Sequence, residues 1–375
     1  MAPLKLGMVG GGQGAFIGGV HRMAARLDGC FDLVAGAFSS DPARAHASAA
    51  ELGVAASRSY ADFKDMAKAE AARPDGIDAV SIVTPNHLHG PIAEAFLAQD
   101  ISVICDKPMT ATLAQATSLL AVAQVSKGHF FLTHNYTGYP MIRQARQMVV
   151  EGALGEIRIV EANYLQDWLS VSPAEDNKQA KWRTDPAQSG GGAIGDIGTH
   201  AHNLACFVLG QRATSLSATL TSHVTGRLVD DDARISVQFA GGAQGHIWAS
   251  QVAIGNENNL TLAVYGTKGS LRWAQENPNI LWFTQLGHAP QMITRGGTAA
   301  SSAASAVTRI PAGHPEGYLE AFATLYREAA AVISSQGKLG GTIGIQDALD
   351  GVLFVDACQR SSQGGASWID LRPSI

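Results

Sequence analysis

The residues with the plainest chemical meaning are a run of glycines near the start of the chain, Gly10-Gly11-Gly12-Gln13-Gly14-Ala15-Phe16-Ile17-Gly18. A short apolar run, Leu4–Val9, precedes it, and a helical pattern begins near Gly19. Glycines at a strand-to-helix turn let backbone N–H groups approach a pyrophosphate, and the positive end of the helix dipole favours that anion. Gly10, Gly12, Gln13, Gly14, Ala15, Phe16 and Ile17 are the candidate contacts. The spacing reads G-x-G, five residues, then glycine. That departs from G-x-G-x-x-G, and a lone match of this type is weak. A tight turn without a ligand uses the same residues. Context favours the dinucleotide, because this is the first turn of an alternating strand–helix pattern.

The second strand pattern ends in Ala37-Phe38-Ser39-Ser40-Asp41-Pro42. A carboxylate there would bind the ribose hydroxyls of NAD. Ser39 or Ser40 holds that place instead, and Asp41 before Pro42 reads as a helix cap. Ser39, Ser40 and Arg44 offer donors to a 2′-phosphate. The cofactor expected is NAD or NADP, and the sequence leaves the two open. Four scattered cysteines carry no C-x-x-C spacing, and no metal-ligand set is assembled, so no metal is expected.

The elements that must position these residues alternate over the first third of the chain. Strand patterns at Leu4–Val9, Phe31–Phe38, Ala79–Thr84, Ile101–Cys105 and Phe130–Thr133 are separated by helical patterns at His21–Leu27, after Asp41-Pro42, Ile92–Ala98 and Leu113–Val125. The strands are mostly apolar on both faces, as a parallel sheet covered by helices requires. After about Tyr136 the pattern changes. A helix at Ile142–Val150 leads into strand patterns at Ile157–Tyr164, Ser215–Thr221, Ala233–Phe239, Gly245–Ala253, Leu260–Tyr265, Ser270–Trp273 and Ile280–Thr284. Helices are expected at about Thr199–Leu209, Tyr318–Val332 and Ile345–Arg360, and a flexible loop at Gly296–Pro311. The fold class expected is α/β: an N-terminal Rossmann domain over residues 1–135, then a C-terminal α+β domain over 136–375 on a large, open, mainly antiparallel sheet.

Composition bounds the partners. Of 375 residues, 46% are hydrophobic and 16% charged, which suits a compact globular chain rather than a disordered one. With 27 basic against 32 acidic residues, net −5, and no basic run, no nucleic-acid partner is expected. No apolar run approaches the roughly 18 residues of a membrane span, so no membrane partner is expected. The opening residues lack the features of a signal peptide, and a cytoplasmic location is expected.

Further stretches carry a family resemblance. They are Thr84-Pro85-Asn86-His87-Leu88-His89, Cys105-Asp106-Lys107-Pro108, and Gly190-Gly191-Gly192-Ala193-Ile194-Gly195-Asp196-Ile197-Gly198-Thr199-His200. His134-Asn135-Tyr136, Gly152-Ala153-Leu154-Gly155 and Lys181-Trp182-Arg183 follow in the same order. With the glycine turn, they make the chain resemble the glucose–fructose oxidoreductase / inositol dehydrogenase / rhizopine catabolism (Gfo/Idh/MocA) family over nearly its whole length. Two departures stand out: Asp106 where the family commonly has Glu before Lys-Pro, and Asn203 where it often has Asp.

The resemblance implies hydride transfer between a nicotinamide and a carbinol of a sugar, sugar derivative or cyclitol, usually in a homodimer or tetramer. Removing a hydride from an alcohol leaves a hydroxyl proton for the protein to handle. Histidine suits that task, and a lysine ammonium favours the developing alkoxide. Carried over by position, Lys107 polarises the hydroxyl, His200 accepts the proton, and Asp196 orients the ring or binds a second hydroxyl. Taken singly, a solvated lysine, a structural histidine and a helix-capping aspartate are the commoner readings; their joint order favours function.

Thr84, Pro85, Asn86, His89, Asp106, Lys107 and Asn135 are then expected near the cofactor, with Pro108, in a cis bond, fixing the lysine-bearing loop. Tyr136, Asp167, Trp168, Lys181, Arg183 and His314 are candidate substrate contacts. Arg183 suits an anionic sugar, and a loop that packs Trp182 is an equal alternative; for His314 a helix-entry turn is preferred. Two other functions remain open: an NAD-dependent glycosidase working by transient sugar oxidation, and a non-catalytic sugar or dinucleotide sensor. Retention of Lys107 and His200 counts against the sensor.

Overall fold

The computed structural model describes residues 2–172, 178–335 and 344–371, apart from the side chains of 178, 179, 181 and 187. The chain forms two compact units. The first contains residues up to Asn135 together with the segment from Phe322 to Val352, and the second contains the remainder.

In the first unit, β1 (Leu4–Gly10), α1 (Phe16–Leu27), β2 (Phe31–Ala37), α2 (Pro42–Glu51), α3 (Phe63–Ala71), β3 (Ala79–Val83), α4 (His89–Leu97), β4 (Ser102–Cys105), α5 (Leu113–Val125) and β5 (Phe130–Leu132) follow in order. All neighbouring strands pair in parallel, in the order β2-β1-β3-β4-β5. The chain leaves β1 for β2 on one side and later returns to place β3 on the other. That reversal makes a crevice at the carboxyl ends of β1 and β3, where doubly wound sheets bind ligands. β3, β4 and β5 are buried at every position, which explains their unbroken apolar runs.

The second unit holds α6 (Pro140–Val150), β6 (Ile157–Leu165), α7 (Lys178–Arg183), α8 (Pro186–Ser189), α9 (Thr199–Leu209), β7 (Ala213–Thr221), β8 (Asp232–Phe239), β9 (Gln244–Ser250), β10 (Asn259–Gly266), β11 (Gly269–Ala274), β12 (Ile280–Gln285), β13 (Gln291–Thr294) and α10 (Ser302–Ser305). Two helices, α11 (Tyr318–Ser335) and α12 (Ile345–Gln363), and a short strand, β14 (Ile369–Asp370), complete the chain. The sheet has nine strands in the order β13-β12-β11-β10-β6-β9-β8-β7-β14. Only β6 and β9 pair in parallel. Its strands alternate buried with partly exposed residues, clearly in β8 and β10, as a sheet covered on one face requires. The buried face packs against Ile142 of α6, Leu204 and Val208 of α9 and Phe354 of α12.

Three expectations are corrected. Residues 136–375 are not one continuous unit, because α11 from Phe322 and α12 up to Val352 group with the first. The side chains explain this: the Tyr326 ring stands edge-on to Phe31 at 5.7 Å, and Phe322 lies 5.0 Å from the His21 ring. The first helix starts at Phe16 rather than near Gly19; its N-cap, Ala15, makes no side-chain cap and so leaves no capping signal. The stretch Gly296–Pro311 contains α10 and is tied down. The buried Arg295 guanidinium donates to the carbonyls of Ile310, Pro311 and His314 and to Glu316.

Candidate active site

The glycine turn lies at the carboxyl end of β1. Gly10, Gly11 and Gly14 have φ of +81°, +69° and +78°, a region that favours glycine. A Cβ on Gly10 would stand 2.8 Å from the Val83 carbonyl oxygen, so the turn lies directly against the end of β3. A Cβ on Gly18 would stand 2.4 Å from Gly11 Cα. The displaced third glycine therefore lets α1 press against the turn. Arg22 of α1, which sequence reasoning missed, donates to the Gly11 carbonyl at 2.6 Å and fixes the turn from below.

The turn fits a dinucleotide. The first turn of α1 has neither a side-chain cap nor an acidic residue, so its N–H groups and dipole are left for an anion. Thr84 Oγ1 and Asn135 Nδ2, after β3 and β5, are buried with no protein hydrogen-bond partner. Such atoms are what a polar ligand satisfies. Gln13 turns toward α2: its N–H donates to Ser48 Oγ and its amide to Glu51. Asp41 caps α2 through the Arg44 N–H, and Ser39 Oγ accepts the Asp41 N–H, while Ser40 and the Arg44 side chain are exposed. The residues just after β2 are Ser39 and Ser40, and the next carboxylate, Asp41, is engaged in this cap.

Lys107 follows β4, partly exposed, ahead of a cis bond to Pro108. Asp106 beside it accepts from Thr133 Oγ1 at 3.1 Å and lies 3.6 Å from Nε2 of the fully buried His21. Burial alone would raise the Asp106 pKa, but His21, Lys107 and His89 outweigh it and hold the carboxyl below its ordinary value. His89 stands between the Thr84 and Pro108 loops. It is buried, with Nδ1 2.6 Å from the Pro108 carbonyl oxygen and Nε2 2.8 Å from that of Thr84. A neutral imidazole donates through one nitrogen only, so His89 bonds one of these carbonyls and faces the other, between the two loops. Burial lowers its pKa, and the two carbonyls and Asp106 offset this only in part.

In the second unit, Asp196 lies in a π-helical turn, Ile194–Gly198, that runs straight into α9 and His200. Such turns recur at functional sites, where they re-aim side chains. The Asp196 carboxylate accepts from Arg183 Nε at 3.2 Å and Gln251 Nε2 at 2.9 Å. His200 is buried, its ring edge-on to Tyr136 at 4.9 Å and 6.0 Å from the Tyr164 ring. The Tyr136 and Tyr164 hydroxyls meet at 2.5 Å, and Tyr164 donates to Asn258 at 2.7 Å. The structure thus groups Tyr136, Arg183, Asp196 and His200, and adds Tyr164, Gln251 and Asn258, which carried no sequence signal.

Trp168 joins this network through Gln166, whose amide donates to Asn258 at 2.8 Å. Arg183 also stacks on Trp182 at 4.2 Å, so its charge is matched to Asp196 within the protein. Asp167 accepts the Gly255 N–H, and Trp168 donates to Gln166. His314 is exposed on the Arg295-held loop. The Lys181 side chain lies outside the described residues. Among the described residues no group of three or more His, Cys, Asp or Glu is placed to hold a metal, and no helix is long and apolar enough to cross a membrane.

Comparison with known proteins agrees with this anatomy. Residues 4–145 match the oxidoreductase family with an NAD-binding Rossmann fold, and residues 142–272 match the GFO/IDH/MocA C-terminal domain. The chain is 31% identical to the uncharacterized oxidoreductase YfiI of Bacillus subtilis over 99% of this chain and 97% of that one. An oxidoreductase of known structure from Sinorhizobium meliloti is 50% identical, with a TM-score of 0.90 over 98% of this chain and 100% of that one. An inositol dehydrogenase homologue from Azotobacter vinelandii, solved with NADH and myo-inositol, is 36% identical, with a TM-score of 0.91 over 98% and 97% of the two chains. The chain is an NAD(P)-dependent oxidoreductase and belongs to the GFO/IDH/MocA family.

Proposed function

We propose that this chain oxidises or reduces one carbinol of a cyclitol or sugar, with Lys107, Asp196 and His200 acting on the hydroxyl. The observation that carries the reading is the pairing of Asp196 and His200. The carboxylate is oriented by Arg183 and Gln251, and the imidazole follows it by four residues on a continuous helical path, braced by Tyr136. Bound nicotinamide supplies the hydride acceptor or donor. Lys107 donates a hydrogen bond to the substrate oxygen and favours its negative charge in the transition state. His200 takes the hydroxyl proton on oxidation and returns it on reduction. Asp196 holds the polyol through a neighbouring hydroxyl.

Likeness to an inositol dehydrogenase homologue solved with myo-inositol supports a cyclitol as the first substrate to try. The engagement of Arg183 by Asp196 favours a neutral polyol over an anionic sugar. The test mixes the protein with NAD or NADP and a panel of inositols, free sugars, acidic sugars and glycosides, and follows reduced nicotinamide by absorbance. Growth of that signal with a neutral polyol supports the reading, and the better cofactor reports what Ser39, Ser40 and Arg44 select. Release of an aglycone that needs NAD, with no net reduction, would replace it with a redox glycosidase. Binding of NADH without turnover of any compound would replace it with a sensor. Light scattering on the same sample tests the expected homodimer or tetramer.

A further inference from the structure

The helical path to Asp196 and His200 begins at Ala193, and a helix start leaves N–H groups without partners inside the helix. No side chain within the segment caps them. Asp230, in the connection between β7 and β8, binds three in succession. Its Oδ1 accepts the Gly192 N–H at 2.9 Å, its backbone carbonyl accepts the Ala193 N–H at 2.8 Å, and its Oδ2 accepts the Ile194 N–H at 2.7 Å. The approach is so close that a Cβ on Gly192 would stand 1.7 Å from the Asp230 carbonyl oxygen. The Gly192 carbonyl then accepts the Asp196 N–H at 2.9 Å, which starts the π-helical turn.

We infer that Asp230 is a positioning residue for the oxidoreductase reaction, clasping Gly192–Ile194 so that the π-helical turn presents Asp196 and His200 in working geometry. This rests on the reading of Asp196 and His200 given above. Asp230 itself contacts the backbone and acts through them. The carboxylate suits the task because a negative charge at the first turn of a helix is favoured by the aligned peptide dipoles. Its neighbour Asp231 does a different job, accepting from His223 N–H, Val224 N–H and Arg227.

The clasp is tuned to pH. Burial pushes the Asp230 carboxyl up to about 6, the Ile194 and Gly192 N–H groups pull it down, and the charge of Asp231 pushes it up again. The Cys358 thiol on α12 also feels the Asp230 charge, and burial pushes that thiol well above its ordinary range. Asp231 is paired with Arg227, and Cys358 is a neutral thiol near neutrality. Below a pH of about 6 the protonated Asp230 carboxyl keeps one good acceptor, and the clasp loosens.

Asp230→Ala and Asp230→Asn test this against wild type. A misplaced reacting group is costly, so kcat is expected to fall about 100-fold for Asp230→Ala and about tenfold for Asp230→Asn, with NADH affinity unchanged. On the acid side, log kcat of wild type for oxidation falls with proton uptake by Asp230 on top of that by the proton acceptor, and Asp230→Asn loses the part due to Asp230. Hydrogen exchange of residues 192–200 is the readout that needs no substrate. Protection there drops in Asp230→Ala if the clasp holds the segment, whatever the protein acts on. Unchanged protection would overturn the clasp itself. Lost protection with wild-type kcat and an unaltered acid limb would overturn the positioning role. Absence of turnover by wild type on every polyol is a failure of the proposed function and leaves the exchange result standing.

Discussion

The Nδ1 of His21 lies 2.8 Å from the hydroxyl of Tyr326, 305 residues further along the chain. Ser81 Oγ completes the contact, 2.9 Å from the same hydroxyl. The other ring nitrogen of His21 faces Asp106, so one buried histidine connects α1, β3 and α11 to the residue before Lys107. This contact is the reason that α11 belongs with the first unit.

Tyr326→Phe is therefore expected to cost little and His21→Ala much more. Without the hydroxyl, Ser81 Oγ and His21 Nδ1, 3.3 Å apart, can bond to each other, so the loss is about 1 kcal/mol. Removing the imidazole leaves a cavity and deprives Asp106 of its partner, a loss of about 3 kcal/mol. Urea denaturation of the two variants measures the difference; equal losses would show that the ring itself contributes nothing.

Lys107→Ala and His200→Ala are expected to lower kcat by about 100- to 10,000-fold, the span of acid–base and electrostatic assistance by single groups. NADH affinity, read by fluorescence titration, should stay within about twofold for His200→Ala on the same view that its role is confined to proton transfer. A His200→Ala enzyme that turns over its substrate at the wild-type rate would remove the proton-transfer role.

Much of the fold was legible because the local chemistry agreed with the architecture. Apolar runs separated by helical patterns follow directly from strands buried on both faces, and Asp41-Pro42 caps α2 as its residues suggest. What was not legible depends on partners distant in sequence. Asp230 meets Gly192 across 38 residues, and nothing local in the run Asp230-Asp231-Asp232 marks which carboxylate does so. In the structure each carboxylate has its own buried task, Asp232 accepting from Trp248 Nε1. The motif of His89 points to the cofactor loops, and only the fold shows its ring between the Thr84 and Pro108 carbonyls.

The glycines of the first turn should differ sharply when replaced by alanine. Gly14 has open space around its missing Cβ, so Gly14→Ala bears only the cost of a φ of +78°, about 1 kcal/mol. Gly18→Ala sets a Cβ 2.4 Å from Gly11 Cα and 2.8 Å from Gly11 O, both backbone atoms that Arg22 helps to hold. The turn must move, and NADH affinity is expected to fall by tenfold or more, roughly 1.4 kcal/mol. Similar affinities for the two variants would mean that the close approach of α1 to the turn does not shape the cofactor site.

Two groups of the second unit, the buried His202 and the partly buried Asp230, should pull its acid stability in opposite directions. Burial lowers the pKa of His202, stacked on Phe354 at 4.2 Å, to about 4 from 6.5. Between those values the unfolded chain binds the extra proton, so the stability that neutral His202 contributes is complete above 6.5 and is lost as the pH falls through about 4. Asp230 has its pKa raised from 3.8 to about 6, so in that interval the folded chain binds the extra proton. Its contribution is complete below 3.8 and is lost as the pH rises through about 6. Each shift corresponds to about 3 kcal/mol at most, so the two nearly cancel in the range they share. His202→Phe keeps the stack and removes the first term, and it should make the protein gain stability from pH 6 down to about pH 4.5 relative to its own value at pH 7.5. Asp230→Asn removes the second and should make acid denaturation begin earlier than in wild type. Chemical denaturation at a series of pH values reads both slopes, and slopes that match wild type in both variants would mean that neither group changes its proton binding on folding.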